Sequence, residues 1–385
     1  MIGPHRSPPQ RPCAGKRAGA IIIPVLSRVL SCKGLAALVT GALMLGVSQL
    51  GRLSLAQAYR PYHEMQYEEA VAAARTTAPS ADVLVLGNSR TWLGVSAWVL
   101  GRDLRLPWTG GSIPKIAKLT PSGGTPAVAL WLWRRIVSSG PQPRPKLLVL
   151  GVAPIDFSDN SPGRDYALRY LFGIRDVPWL LEFGRAQDAA AVLTYRAFPL
   201  YAHRATFLSM LRHAHRALFV SPPRGRHRLA TAGVAPAGWW VAQYYIWYQG
   251  YRVEPFQAHA LDELVADAQR RGVRVVLVSL PVAPQLLKVD AGGPPPPDLL
   301  RRTGGRRSAD RSKSALALFR KMIRARVKRY RVSYFDYMTP EQSVRFQYLD
   351  GSHLTLESAS AFTRELAQRI NRELAPAASE GAASK

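Results

Sequence analysis

A serine near the start of this 385-residue chain and a histidine near its end are the first residues that suggest chemistry. Gly87-Asn88-Ser89-Arg90 closes an apolar run, 82–87, that reads as a buried strand. A serine at such a strand-to-helix turn is exposed at the carboxyl end of a sheet, where the amides of the helix start can hold an oxyanion. The turn departs from a G-x-S-x-G elbow, because Thr91 stands in the place of the last glycine. In the same position Ser89 can also simply cap the helix that follows. Far along the chain, Asp350-Gly351-Ser352-His353-Leu354-Thr355 sets a carboxylate and an imidazole three residues apart on one loop. Such an aspartate can orient the histidine through its Nδ1 proton while Nε2 takes the proton of a serine hydroxyl. The plainer use of the loop is a turn decorated by Asp350 and Ser352, with Thr355 capping a helix and His353 at the surface.

The elements around these residues predict a fold that brings both ends to one edge. Near-continuous apolar runs at 82–87, 146–152, 273–280 and 332–336 have the character of buried parallel strands. Amphipathic stretches at 125–137, 255–271, 314–330 and 356–372 alternate with them, as a doubly wound α/β sheet requires. The fold class expected is a three-layer α/β sandwich with a parallel, flavodoxin-like sheet. Ligands of such sheets lie at the carboxyl ends of the strands, which is where Ser89 and the loop at 350–355 belong. Two stretches interrupt the alternation. Residues 159–251 show no clear strand and read as a helical cap insertion, and 291–313, with its prolines and arginines, reads as a mobile basic loop.

Composition narrows the class and the compartment. With 47% hydrophobic residues the chain can build a large core, and 52 Lys and Arg against 25 Asp and Glu give a formal charge of +27. That charge suits polyanionic surroundings without choosing among nucleic acid, lipid and acidic glycan. Cys13 and Cys32 are the only cysteines, so neither a disulfide framework nor a cysteine-based zinc site can hold the main body. Residues 1–33 form a basic leader, and 34–51 carry no charge, which reads as a transmembrane signal-anchor with its basic end in the cytoplasm. Ala56-Gln57-Ala58 offers a signal-peptidase site as the alternative to a retained anchor. Either route places the main domain, 59–375, outside the cytoplasmic membrane, with 376–385 as a disordered tail. An exported chain without a reading module is not expected to bind nucleic acid.

The blocks around Ser89 and His353 resemble the SGNH, or GDSL-like, hydrolases. More narrowly they resemble membrane-anchored envelope proteins similar to those of alginate O-acetylation and of D-alanyl-lipoteichoic acid. Leu86 to Arg90 matches an LGNSR-like block and Asp350 to Leu354 a D-G-x-H-L block. The resemblance implies Ser89 as nucleophile, His353 as general base and Asp350 as its orienting acid. It also implies a second-block glycine in the oxyanion hole, for which Gly110 is preferred to Gly111 in Trp108-Thr109-Gly110-Gly111-Ser112. A third-block asparagine is missing from Gly151-Val152-Ala153-Pro154-Ile155-Asp156, so Asn88 or a backbone amide would have to replace it beside the Ser89 amide. Asp156 competes for the role of the acid.

Other features have plainer uses. Trp240, Tyr244, Trp247, Tyr248 and Tyr251 share one helical face, which can stack on sugars or rest at a membrane interface but more simply packs against the sheet. His203, His213, His215 and His227 lack accompanying carboxylates, so no metal is predicted, and no cofactor. The helix at 314–330 is amphipathic, with basic residues that can also face anionic lipid or glycan. Two functions are expected from these readings. One is a membrane-anchored serine esterase or O-acyltransferase acting on small acyl groups, acetyl first, of an envelope or exported polysaccharide, with a membrane-bound acyltransferase as the partner that the resemblance implies. The other is an inactive scaffold or glycan-binding protein, which the missing asparagine favours.

Overall fold

The computed structural model describes residues 39–49, 62–138, 145–203, 237–293 and 314–375. Runs of Val and Leu without charges form the centre of the sheet, because strands covered on both faces have no side that can tolerate a polar residue. β1 (Val83–Leu86), β2 (Ile116–Leu119), β3 (Leu147–Gly151), β4 (Arg274–Ser279) and β5 (Ser333–Asp336) are all parallel, in the order β2-β1-β3-β4-β5. That is the flavodoxin-like order, with its switch point between β1 and β3.

β2 is the strand that the hydrophobic pattern does not predict. Its sequence, Ile-Ala-Lys-Leu, is interrupted by Lys118, which an edge strand accommodates. The Lys118 ammonium reaches over and donates to the carbonyls of Trp92 and Val95, at 2.9 Å each, at the end of the helix that follows β1.

The helices are α1 (Tyr62–Thr76), α2 (Ser89–Gly94), α3 (Ala97–Asp103), α4 (Pro126–Ser138), α5 (Pro162–Tyr166), α6 (Val177–Glu182), α7 (Ala186–Ala197), α8 (Ala237–Trp247), α9 (Pro255–Arg270), α10 (Pro284–Asp290), α11 (Ala315–Tyr330), α12 (Pro340–Arg345) and α13 (Leu356–Leu374). One face of the sheet, formed by Val83, Val85, Val149, Val276, Val278 and Phe335, is buried under α3 and α13 through Leu100, Phe362, Leu366 and Ile370. The alternate side chains Leu84, Leu86, Leu148, Leu150 and Leu277 are equally buried on the other face. There α4 packs against α1 and α9, and α9 packs on β4 and α11. The result is an α/β sandwich around a parallel sheet.

Among its described residues the stretch at 159–251 contains helices α5 to α8, a further helical turn at Pro199–Ala202, and no strand. Arg185 binds this stretch together through Asp188 and Asp159 and joins it to Glu254, whose carboxylate caps α9 by accepting from the Gln257 amide. The chain divides into two units, one comprising 1–59 and 194–212 and the other the remainder, which holds the sheet. Residues 39–49 of the uncharged run are helical, and no helix among the described residues is long and apolar enough to cross a membrane. The basic leader, Cys13 and Cys32, the Ala56-Gln57-Ala58 site, His213, His215 and His227, residues 294–313 of the basic loop and the tail from 376 lie outside the described residues.

Candidate active site

β1 delivers the chain to Gly87, whose φ of +151° and tight fit against Thr91 leave no room for a side chain. Asn88 then opens α2, its Oδ1 accepting from the amides of Arg90 at 2.9 Å and Thr91 at 3.4 Å. The cap of this helix is therefore Asn88 and not Ser89. The Ser89 hydroxyl is left at the head of the helix, at the carboxyl edge of the sheet beside the β1/β3 switch point.

The loop between α12 and α13 approaches from the other side. An antiparallel bridge between Tyr348 and Leu354 pinches it, reinforced by Leu349 N–H to the His353 carbonyl at 2.8 Å and Thr355 N–H to the Gln347 carbonyl at 3.0 Å. Asp350 to His353 form the tip, which is moored near the end of β4 by Ala283 N–H donating to the Gly351 carbonyl at 3.1 Å. Within the tip, Asp350 Oδ1 accepts from the amides of Ser352 and His353 and from the Ser352 hydroxyl. Thr355 caps α13 through the Ser358 amide. The turn-forming and the orienting uses of Asp350 coexist, because one oxygen builds the turn and the other faces the imidazole.

That second oxygen, Oδ2, lies 2.7 Å from His353 Nδ1, and His353 Nε2 lies 3.0 Å from Ser89 Oγ. With the proton on Nδ1, shared with Ser352 Oγ at 3.2 Å, the Nε2 lone pair points at the serine hydroxyl. Burial alone would raise the Asp350 carboxyl. The hydrogen bond and charge of His353, with the Ser352 donors, outweigh it and hold Asp350 below the ordinary carboxylate range. A serine, an imidazole and an ionised carboxylate thus stand in one hydrogen-bonded line, the arrangement that lets a hydroxyl be deprotonated as it attacks.

The oxyanion donors need correction. Gly110 follows the short helical turn Pro107–Thr109 and precedes β2, which runs parallel to β1 from Ile116. Gly110 and Gly111 therefore lie at the amino edge of the sheet, opposite Ser89. The glycines at the correct edge are Gly123 and Gly124, in the turn after β2. The Gly124 amide donates to the Pro121 carbonyl at 2.9 Å, and its Cα packs so closely on the Gly87 carbonyl that any Cβ would strike it. Gly123, with φ of +68°, borders the same cavity as Ser89. The signal that could have found it is the turn sequence Thr120-Pro121-Ser122-Gly123-Gly124, hidden because Lys118 interrupts the apolar pattern of the strand before it.

Asn88 borders the same cavity as Ser89 and is at the same time tied to the loop after β3. Its Nδ2 donates to Asp156 Oδ1 at 2.6 Å, so this side chain braces the turn that carries Ser89 against the loop after β3. Asp156 is buried and accepts in addition from the Ala153 amide at 2.8 Å. Burial pushes its carboxyl up to about 7, against the opposing pull of Asn88, Arg90 and the Ala153 amide. The acid that contacts His353 is Asp350 and not Asp156.

Ser89 and His353 open onto a cavity of about 480 Å³ bordered by Gly123 and by Tyr244 and Trp247 of α8. Of the expected aromatic stripe, Tyr244 and Tyr248 are buried and the Tyr251 hydroxyl donates to the Pro154 carbonyl at 3.0 Å.

The crystal structure of a GDSL-like lipase from Bacteroides thetaiotaomicron VPI-5482 is similar to this chain at 12% identity and a TM-score of 0.35, over 81% of this chain and 98% of that one. No family model and no curated protein matches the chain.

Proposed function

We propose that this chain is a serine-dependent acyl-transfer protein of the SGNH type, an esterase or O-acyltransferase acting on acyl esters of an envelope or exported polysaccharide. The observation that carries the reading is the line from Asp350 through His353 to Ser89, with separations of 2.7 and 3.0 Å. In the reaction, Ser89 Oγ attacks the ester carbonyl as His353 Nε2 takes its proton. The resulting oxyanion is assigned to the Ser89 amide at the head of α2 and to the amide of Gly123, which borders the same cavity. Collapse breaks the ester C–O bond, His353 protonates the departing alcohol, and the acyl group remains on Ser89. Water or a sugar hydroxyl then repeats the sequence in reverse, giving hydrolysis or transfer.

The location belongs to the same proposal. The basic leader and the uncharged run at 34–51 support a single-pass anchor in the cytoplasmic membrane with the α/β domain on its outer side. A membrane acyltransferase that supplies the acyl group is the partner the family resemblance implies. The direct test is acyl release from an O-acetylated exported polysaccharide, or acyl transfer to its deacetylated form. The full-length chain is expected to catalyse one of the two and Ser89→Ala neither. A folded wild type inactive in both directions contradicts the proposal.

A second reading, a binding scaffold with a decayed site, is favoured by one observation. Asp156 stands in the loop where the family carries an asparagine, and one Nδ2 proton of Asn88 is committed to it. Loss of one such donor costs about 3 kcal/mol of transition-state stabilisation. On that reading the chain binds the polysaccharide equally well with Ser89 or with alanine in its place, and turns over no ester.

A further inference from the structure

We propose that the cavity beside Ser89 is a subsite for an apolar group of the ester, several carbons long, carried on its acyl or its alcohol side. The inference rests on the serine acyl-transfer reading and enlarges the substrate beyond the acetyl ester that the family resemblance implies. Pockets of about 300–1,000 Å³ accommodate drug-sized ligands. The cavity here, about 480 Å³, leaves most of its space unfilled by a two-carbon acyl group.

The walls have the chemistry of an apolar site. Trp92 and Leu93 come from α2 itself, directly after the nucleophile, Ile155 from the loop after β3, Tyr166 from α5, and Tyr244 and Trp247 from α8. Trp92 is 38% exposed, a large indole face kept on the rim of the site instead of in the core. Among the described residues, none of those that border the cavity is a lysine or an arginine.

These walls are braced by contacts among their own side chains. The Tyr166 ring stacks on His63 with centroids 4.3 Å apart, and Tyr244 meets Trp247 edge to face at 5.1 Å. Beneath Tyr244 the buried Arg90 guanidinium lies 4.9 Å from the ring centroid. The residue after the nucleophile thereby fixes the wall that faces the nucleophile. A preformed apolar site binds without the cost of ordering its own side chains.

The experiment measures kcat/KM of the full-length chain in detergent on two ester series. One lengthens the acyl group from acetate to octanoate on a constant p-nitrophenyl alcohol, and the other lengthens the alcohol of an acetate from ethyl to octyl, which leaves the acidity of the departing alcohol nearly constant. Serine labelling by a fluorophosphonate is recorded in parallel. The proposal expects kcat/KM to rise roughly fourfold per added methylene until the cavity is filled. The rise appears in whichever series carries the bound group. Trp247→Ala flattens it, and so does Trp92→Ala, whose partly exposed side chain can be removed without opening the core. Labelling at Ser89 with a flat or falling profile in both series overturns the subsite and leaves the serine chemistry standing. Absence of both labelling and hydrolysis in a folded chain overturns the two together.

Discussion

At the scale of single residues, Asp350 has the most demanding task. One oxygen closes the turn that presents His353 and the other fixes which imidazole nitrogen carries the proton. Asp350→Asn keeps the size and can keep the turn, but it no longer holds the imidazole in the tautomer that accepts the serine proton. A fall in kcat on the order of 10³- to 10⁴-fold is expected, measured on any ester the wild type cleaves, with KM little changed. Because the folded carboxyl is held below its ordinary range, its contribution is present above the unfolded value and is lost as pH falls through the folded one. The same residues mark how far the sequence could be read. Asp350 and His353 are three positions apart, and Ser89 follows an unmistakable strand, so local chain geometry announces all three. Gly123 and the Asn88–Asp156 pair were not legible in the same way, since a donor's place depends on which strand precedes it and a partner 68 positions distant leaves no local pattern.

At the scale of elements, the site depends on close approach among the turns that end β1, β2 and β3. Gly87, Gly124 and Gly151 pack there against one another's carbonyls or against Thr91, and a methyl group on any of them meets occupied space. Gly124→Ala is expected to cost about 1–3 kcal/mol of stability and to displace the Gly123 turn, lowering activity more than folding. Denaturant unfolding and kcat measured on the same sample check both parts, and an unchanged variant would show that the turn is free to move. The four helices expected at 125–137, 255–271, 314–330 and 356–372 lie within two residues of α4, α9, α11 and α13, because long amphipathic stripes report burial directly. α1 escaped notice for the opposite reason. Its buried stripe runs through Tyr67, Ala70 and Ala74, and two alanines give little hydrophobic contrast. β2 escaped because an edge strand tolerates the lysine that disqualifies a central one.

At the scale of the whole molecule, ionisable groups are buried behind the nucleophile turn. Asp290, at the end of α10, is completely buried, and burial pushes it up to about 7 against the opposing charge of Arg90 and a hydrogen bond from Tyr248. Asp156 is raised to the same value. A carboxyl whose folded value lies above its unfolded one binds an extra proton in the folded state between the two. Its contribution to stability is complete below about pH 4 and is lost as pH climbs through 7. Asp290 accounts for a loss of up to about 3 kcal/mol between about pH 5 and 8. The melting temperature should fall over that interval, and Asp290→Asn should fall less. An identical slope in the variant would remove Asp290 from this account.

The central claim is that the fold activates one serine, and covalent capture tests it most directly. Full-length protein is treated with a fluorophosphonate and the modified residue is located by mass spectrometry, alongside Ser89→Ala and His353→Ala. Stoichiometric modification of Ser89 in the wild type, with little or none in either variant, is the predicted result. A folded wild type that remains unmodified, or one that labels equally well without His353, would contradict it.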